Sequence, residues 1–243
     1  SYFSNSVLSM QDGPAAADVE ALLAPFAADL PPGTLDGYAL PVSDGSARNR
    51  QGLRAATNLL QQAGFSAEGG TLRGPDGTPF TFDILLPKGS TENIAIADIY
   101  VGALARLGIT ARIETVDDAQ FLARTNSFDF DMTFFRRALS LSPGNEQRYY
   151  WGSDAATAEG SRNLPGIHNP AVDAMIDTML EAKEQDQFIA ATRALDRVLT
   201  AGAYVIPFWQ YAEGRIAHVK HPEVIPIYGD GPNYMPEVWW WEQ

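Results

Sequence analysis

The chain has 243 residues, of which 45% are hydrophobic and 19% charged, so it can bury a sizeable core and has no disordered composition. A formal charge of −13 and a pI near 4.5 exclude the basic surface that nucleic acid and anionic membranes require. The absence of Cys excludes disulfides, thiolate metal sites and a Cys nucleophile.

Residues 1–47 are rich in Pro, Ala and Gly, with one helix predicted at ADVEALLAPFAADL, residues 17–30. A helix follows at NRQGLRAATNLLQQAG, where Leu53, Ala56, Leu59, Leu60 and Ala63 share one face and Gly64 stops it. Gly69, Gly70 and Gly74 fall in a hairpin-like turn region, and PDGT (75–78) is a turn because Pro sets φ and Gly permits its positive range. FTFDILLP alternates Phe80, Phe82, Ile84 and Leu86, the pattern of a strand. Ser90 or Thr91 begins a helix that Gly108 closes. TENIAIADIYVGALARLG is its apolar core, and Glu92, Asp98 and Arg106 rule it out as a membrane span.

ITARIETV predicts a second strand, DDAQFLARTN a short helix capped by Asp117 or Asp118, and FDFDMTFF (128–135) a third strand. SLSPGNEQRYYWGS (140–153) then reads as a recognition loop. A helix begins at Asn169–Pro170 with Val172, Met175, Ile176 and Met179 inward, and another runs from Asp186 to Thr200. AYVIPFWQYA and GRIAHVK predict a strand pair, and the aromatic tail to Gln243 is extended. Alternating helices and strands imply an α/β fold with a partly parallel sheet. The two extended ends are unusual for a self-contained domain and suit wrapping around another one.

Chemistry-bearing patterns are few. Asp129 and Asp131 form a D-x-D, either a metal-holding pair of a carbohydrate-active enzyme or, since i and i+2 share a strand face, a solvent-facing edge. His168, His218 and His221 lack companion ligands and read as surface or cap histidines. No nucleophile elbow, H-E-x-x-H or phosphate-binding glycine run is present. No catalytic residue, metal or cofactor is therefore expected. Aromatics carry the signal: Tyr149, Tyr150 and Trp151 follow an amide-rich turn, and Tyr and Trp offer an apolar face with a polar tip. Trp239, Trp240 and Trp241 read as a strand end docking on a neighbour.

Longer stretches carry a resemblance. FDFDMTFFRRALSLSPGNEQRYYWGS with SRNLPGIHNPAVDAMID, SYFSNSVLS at the start and AATRALDRVLTAGAYVIPFW near the end together resemble the periplasmic solute-binding proteins of peptide-type ABC importers. The likeness is greatest to their Yej-type members, which bind oligopeptides and microcin C. It implies a lobe of the periplasmic-binding-protein type II kind, with a mixed sheet flanked by helices. Because that family's proteins are more than twice this length, residues 1–220 would be most of the second lobe. Residues 221–243 would cross to the first.

The resemblance further implies a monomeric, periplasmic, non-enzymatic protein whose partners are an oligopeptide and an ABC permease, with no nucleic acid; no signal peptide is visible in this chain. It places the segment after the third strand at the interlobe cleft. The expected ligand-binding residues are Ser142, Asn145, Glu146, Gln147 and Arg148 for polar groups and termini, and Tyr149 and Trp151 as aromatic walls. Relatives use an Asp here to hold the peptide's amino group. This chain has Ser140, Leu141 and Ser142 instead, with Glu146 the nearest acid. An oligosaccharide ligand on the same fold is the alternative.

Overall fold

A computed structural model describes residues 1–4, 6–43, 45–46, 48–137 and 142–208, together with the backbone pairing of 223–224 with 239–240. The chain divides into two compact units: residues 40–136, and residues 1–39 with 137–243. It passes between them twice, at 39–40 and at 136–137.

The 40–136 unit is built on two parallel crossovers. Helix α2 (Arg50–Gln62) opens it, with Asn49 Oδ1 accepting from Gly52 N at 3.1 Å. A hairpin follows, β1 (Ser66–Glu68) with β2 (Thr71–Arg73), turning through Gly69 and Gly70 at φ 57° and 83°. Two residues of positive φ match the right-handed twist of a tight hairpin, which is why glycines stand there.

Strand β3 (Thr81–Pro87) then lies between β4 (Thr110–Val116) and β5 (Met132–Thr133), parallel to both. Parallel neighbours need crossovers, supplied by α3 (Thr91–Ala105) and α4 (Asp118–Asn126). Asp117 Oδ1 caps α4 by accepting from Gln120 N at 2.9 Å. Ile84, Leu85 and Leu86 are consecutive and all buried, as a central parallel strand covered on both faces requires. The unit's core joins Leu72, Ile84, Leu86, Ala97, Leu104, Ile109 and Ala111.

The other unit is mainly helical among the described residues. Helix α6 (Pro170–Glu181) packs along α7 (Gln185–Ala201), with α1 (Ala17–Leu23) and α5 (Glu146–Trp151) against them. Asn169 Oδ1 caps α6 by accepting from Ala171 N at 2.8 Å, and Pro170 occupies the first helical position. The core gathers Phe3, Val19, Leu23, Trp151, Ile167, Val172, Met175, Ile176, Leu195 and Leu199. Among the described residues, the antiparallel pairing in this unit is that of β6 (Glu223–Val224) with β7 (Trp239–Trp240).

The α/β architecture with a helix-flanked sheet is as expected from the sequence, but four elements differ. The helix expected over 17–30 ends at Leu23 and passes into a 3-10 turn, because Pro25 has no N–H to continue the ladder. The strand expected over 128–135 shrinks to Met132–Thr133, since Phe128 is left-handed at φ 57° and Phe130 N turns back to Phe128 O at 3.0 Å. The recognition loop contains α5, which starts directly after the Pro143–Gly144 break. Of the expected strand pair after α7, residues 204–208 are not strand, and the remainder lies outside the described residues. Among the described residues, no helix is long and apolar enough to cross a membrane.

Candidate functional site

Helix α5 decides where the expected ligand-binding residues point. Gln147 and Trp151 stand four apart and share one face, which is buried; each is 3% exposed. Trp151 Nε1 donates to Gln147 Oε1 at 2.9 Å, so the indole N–H loses no hydrogen bond on burial. Tyr2 meets the Trp151 ring edge to face, with centroids 5.1 Å apart, and Tyr150 lies 5.8 Å away.

The opposite face is exposed. Arg148 Nη1 pairs with Asp177 Oδ1 on α6 at 2.6 Å, both half-exposed, so the pair adds little stability. Tyr149 is 46% exposed, and its hydroxyl donates to the Gly160 carbonyl. Glu146 Oε1 accepts from Gly144 N at 2.8 Å and from Gln147 Nε2 at 3.1 Å. Partial burial alone would raise this carboxyl. The two hydrogen bonds and the Arg137 charge outweigh it and hold the group below its ordinary range. Ser142 and Asn145 are exposed just before the helix. The structure therefore separates the seven residues: Ser142, Asn145, Glu146, Arg148 and Tyr149 reach the surface of α5 and its approach, while Gln147 and Trp151 line the core. Ser140 and Leu141 lie outside the described residues, as do Trp209, Tyr211, His218 and His221 and the side chains of the terminal Trp triplet.

Reasoning from sequence missed Arg137. Its guanidinium carbon stands 5.6 Å from the Phe3 ring centroid, 5.4 Å from Tyr150 and 5.0 Å from Trp151. Nη2 donates to the Tyr2 carbonyl at 3.0 Å. Nη1 is buried and has no hydrogen-bond partner among the described residues. Burial pushes the guanidinium pKa down, and nearby Tyr150, Tyr2 and Glu146 push it back up. The only sequence signal was a pair of arginines closing an apolar run. Two of its partners, the Tyr2 carbonyl and the Phe3 ring, lie more than 130 positions away.

The D-x-D of Asp129 and Asp131 resolves into structural contacts. Arg124 bridges Glu114 Oε1 at 2.7 Å and Asp129 Oδ2 at 2.8 Å. Asp131 Oδ2 instead accepts from Asp83 N at 2.8 Å, capping a backbone donor on β3. They border an open recess of about 350 Å³ with Leu85, Phe128 and Phe130. The two aspartates are thus spent separately, one on a cation and one on the sheet. No group of three or more His, Asp or Glu suited to a metal occurs among the described residues.

Comparison with known proteins agrees with this architecture. The model of the family "Bacterial extracellular solute-binding proteins, family 5 Middle" matches residues 16–159, more than half of the chain. The chain belongs to this family of solute-binding proteins. Members bind solutes and are not enzymes, which removes the carbohydrate-active alternative for Asp129 and Asp131. It is similar to the probable peptide-binding protein YejA of Agrobacterium fabrum, 39% identical over 245 residues, covering 99% of this chain and 39% of that protein. It is also similar to the peptidoglycan-binding protein YepA of the same organism, 37% identical over 244 residues with the same coverage of each. The chain thus spans well under half the length of these relatives. Among solved structures, the oligopeptide-binding protein AppA of Bacillus subtilis, in complex with a nonapeptide, superposes with a TM-score of 0.57. The match covers 77% of this chain and 38% of AppA at 17% identity, a likeness of fold.

Proposed function

We propose that the family 5 protein to which this chain belongs captures oligopeptides between two lobes outside the cytoplasm and delivers them to an ABC permease. In this reading residues 1–220 form most of the second lobe and residues 221–243 cross to the first. The observation that carries it is the 39% identity to a probable peptide-binding protein across 99% of this chain. The surface of α5 suits the task. A binder tolerant of sequence recognises the backbone and termini of its ligand, which takes amides, hydroxyls and charge more than apolar pockets. Ser142, Asn145, Glu146, Arg148 and Tyr149 supply these. Gln147 and Trp151 act from beneath, fixing the helix that presents them.

The test is native mass spectrometry of the intact protein, purified gently and then denatured. A ladder of heterogeneous peptide masses released on unfolding is the expected result. A single non-peptide mass would move the function to another solute on the same fold.

A second reading rests on the similarity to a peptidoglycan-binding protein at 37% identity. Peptidoglycan joins peptides to glycans, so a cell-wall fragment would present backbone amides to the polar groups and sugar faces to an aromatic such as Tyr149. Released masses carrying amino sugars would favour it.

A further inference from the structure

On the helical unit, an apolar recess that shares no residue with the surface of α5 is rimmed by acids. We propose that this recess docks an extracytoplasmic loop of the membrane permease, a loop that brings a Lys or Arg beside an apolar side chain. The inference rests on the delivery reading given above and adds to it the surface that meets the permease.

Three observations carry it. First, the recess is open, about 520 Å³ in volume, and lies where α1 meets the turn between α6 and α7. Leu22, Ala182 and Ala190 form its floor, and Leu22 and Ala182 keep part of their surface exposed. Such a floor favours an apolar occupant over a hydrated ion.

Second, the rim is acidic and unpaired. Asp18, Glu181 and Asp186 are exposed, and none of them belongs to an ion pair among the described residues. Lys183 in the same turn is exposed and belongs to none of those pairs either. Glu181 ends α6, whose last turn holds no basic residue. The carbonyls of a helix C-terminus carry partial negative charge and favour a cation there, so an acid at that place deepens the negative potential over the floor. Lys and Arg answer both features, since their stems cover apolar surface while their heads reach the acids. The net charge of −13 repels anionic headgroups, so the complementary occupant is a basic protein segment and not a lipid surface.

Third, the walls are fixed before any partner arrives. Arg197 on α7 donates to the carbonyls of Gln11 and Gly13 before α1 and of Thr34 after it. Asn169, the cap of α6, donates to the Asp29 carbonyl. These bonds hold α1 against α6 and α7 from both ends, so docking orders little of this surface.

The experiment places a photo-activated cross-linker at Gln187, on the wall of the recess, in the intact protein. It is mixed with membranes of the cells that make it, and cross-linked peptides are read by mass spectrometry. The expected partner is an extracytoplasmic loop of the permease's membrane subunit that contains Lys or Arg. Raising salt from about 0.01 M to about 1 M, which shortens the Debye length from about 30 Å to about 3 Å, should cut the yield several-fold. Glu181→Lys with Asp186→Lys should lower both the yield and cellular uptake of the captured solute by about tenfold. Masses released on unfolding should stay the same. Glu20→Lys, which changes charge on another face of α1, should alter neither yield nor uptake. All three side chains are exposed, so the substitutions leave the core intact.

No cross-link, or one to a second copy of this chain or to a protein other than the permease, overturns the inference. So does a double variant with unchanged yield and uptake, or an equal loss in Glu20→Lys, which would make net charge the cause. Each of these leaves the peptide reading standing if peptides are still released on unfolding. A cross-link to the permease with a non-peptide solute released sustains the docking site and overturns the peptide reading alone.

Discussion

At the residue scale the most consequential side chains are a pair on α7 that touch no candidate ligand surface. Asp196 is fully buried and accepts from Ser1 Oγ at 2.6 Å, Tyr2 N at 2.7 Å and Met10 N at 2.8 Å. Its neighbour Arg197 donates to the carbonyls of Thr34, Gln11 and Gly13 at 3.0, 2.9 and 2.7 Å. Together they give an irregular segment the hydrogen bonds that a helix or sheet would otherwise supply. They also set Tyr2 and Phe3 where both meet the aromatic cluster around Arg137. Replacing Asp196 by Ala leaves the half-buried Tyr2 and Met10 N–H groups without their acceptor, a loss of about 3 kcal/mol. The expected result is a lower denaturant midpoint with an unchanged slope. A midpoint like that of the natural protein would show that residues 1–10 are held by apolar contacts alone. The sequence pattern suggested that both extended ends wrap around another domain; at the start of the chain, Ser1, Tyr2 and Met10 instead bond to Asp196 on α7, a polar residue in an otherwise apolar helical stripe.

At the element scale, periodicity was a sound guide wherever hydrogen bonding is local. β3, α3, β4, α4, α6 and α7 lie within a few residues of their expected limits, with the expected caps at Asp117 and Asn169. Gly108 shows what such local signals conceal. It was expected only to close α3, and its φ of 82° agrees. A Cβ there would also lie 2.8 Å from Leu72 N and 3.0 Å from Gly70 O, so the same glycine lets the β1–β2 hairpin approach the sheet. Leu72 N donates to its carbonyl at 2.8 Å across that contact. Gly108→Ala should therefore cost more than the roughly 1–2 kcal/mol of a left-handed alanine. Exposure of the hairpin amides, read by hydrogen exchange, should rise as well. A loss confined to stability, with hairpin protection intact, would mean that the clash is absorbed elsewhere. α2 marks a limit of the pattern: its expected apolar face is only partly covered, and Leu59 is 65% exposed.

At the scale of the whole molecule, two units with separate cores fold from one chain. Each core is a cooperative entity in its own right, and local stability follows buried apolar contacts. Hydrogen exchange should resolve two classes of protection, one for residues 40–136 and one for the helical unit. Asp196→Ala should lower the second and leave the first within error. Loss of protection in both at once would mean that the two cores unfold as one. Arg137 is the first residue after the second crossing.

Sequence by itself determined the α/β class, the order and approximate limits of most elements, the absence of a thiol chemistry and the segment in which recognition chemistry concentrates. Those features depend on local hydrogen bonding, side-chain period and composition, all of which act within a few residues. Tertiary structure alone decided which residues of that segment face outward. Gln147 and Trp151 belong to the core because Tyr2 and Phe3, pinned by a buried aspartate on α7, cover one side of a short helix. Arg137 sits among aromatic rings because the same distant residues, Tyr2 and Phe3, pack beside it. Burial of this kind is a property of segments brought together from 135 to almost 200 positions apart, so no pattern within the recognition segment could have announced it.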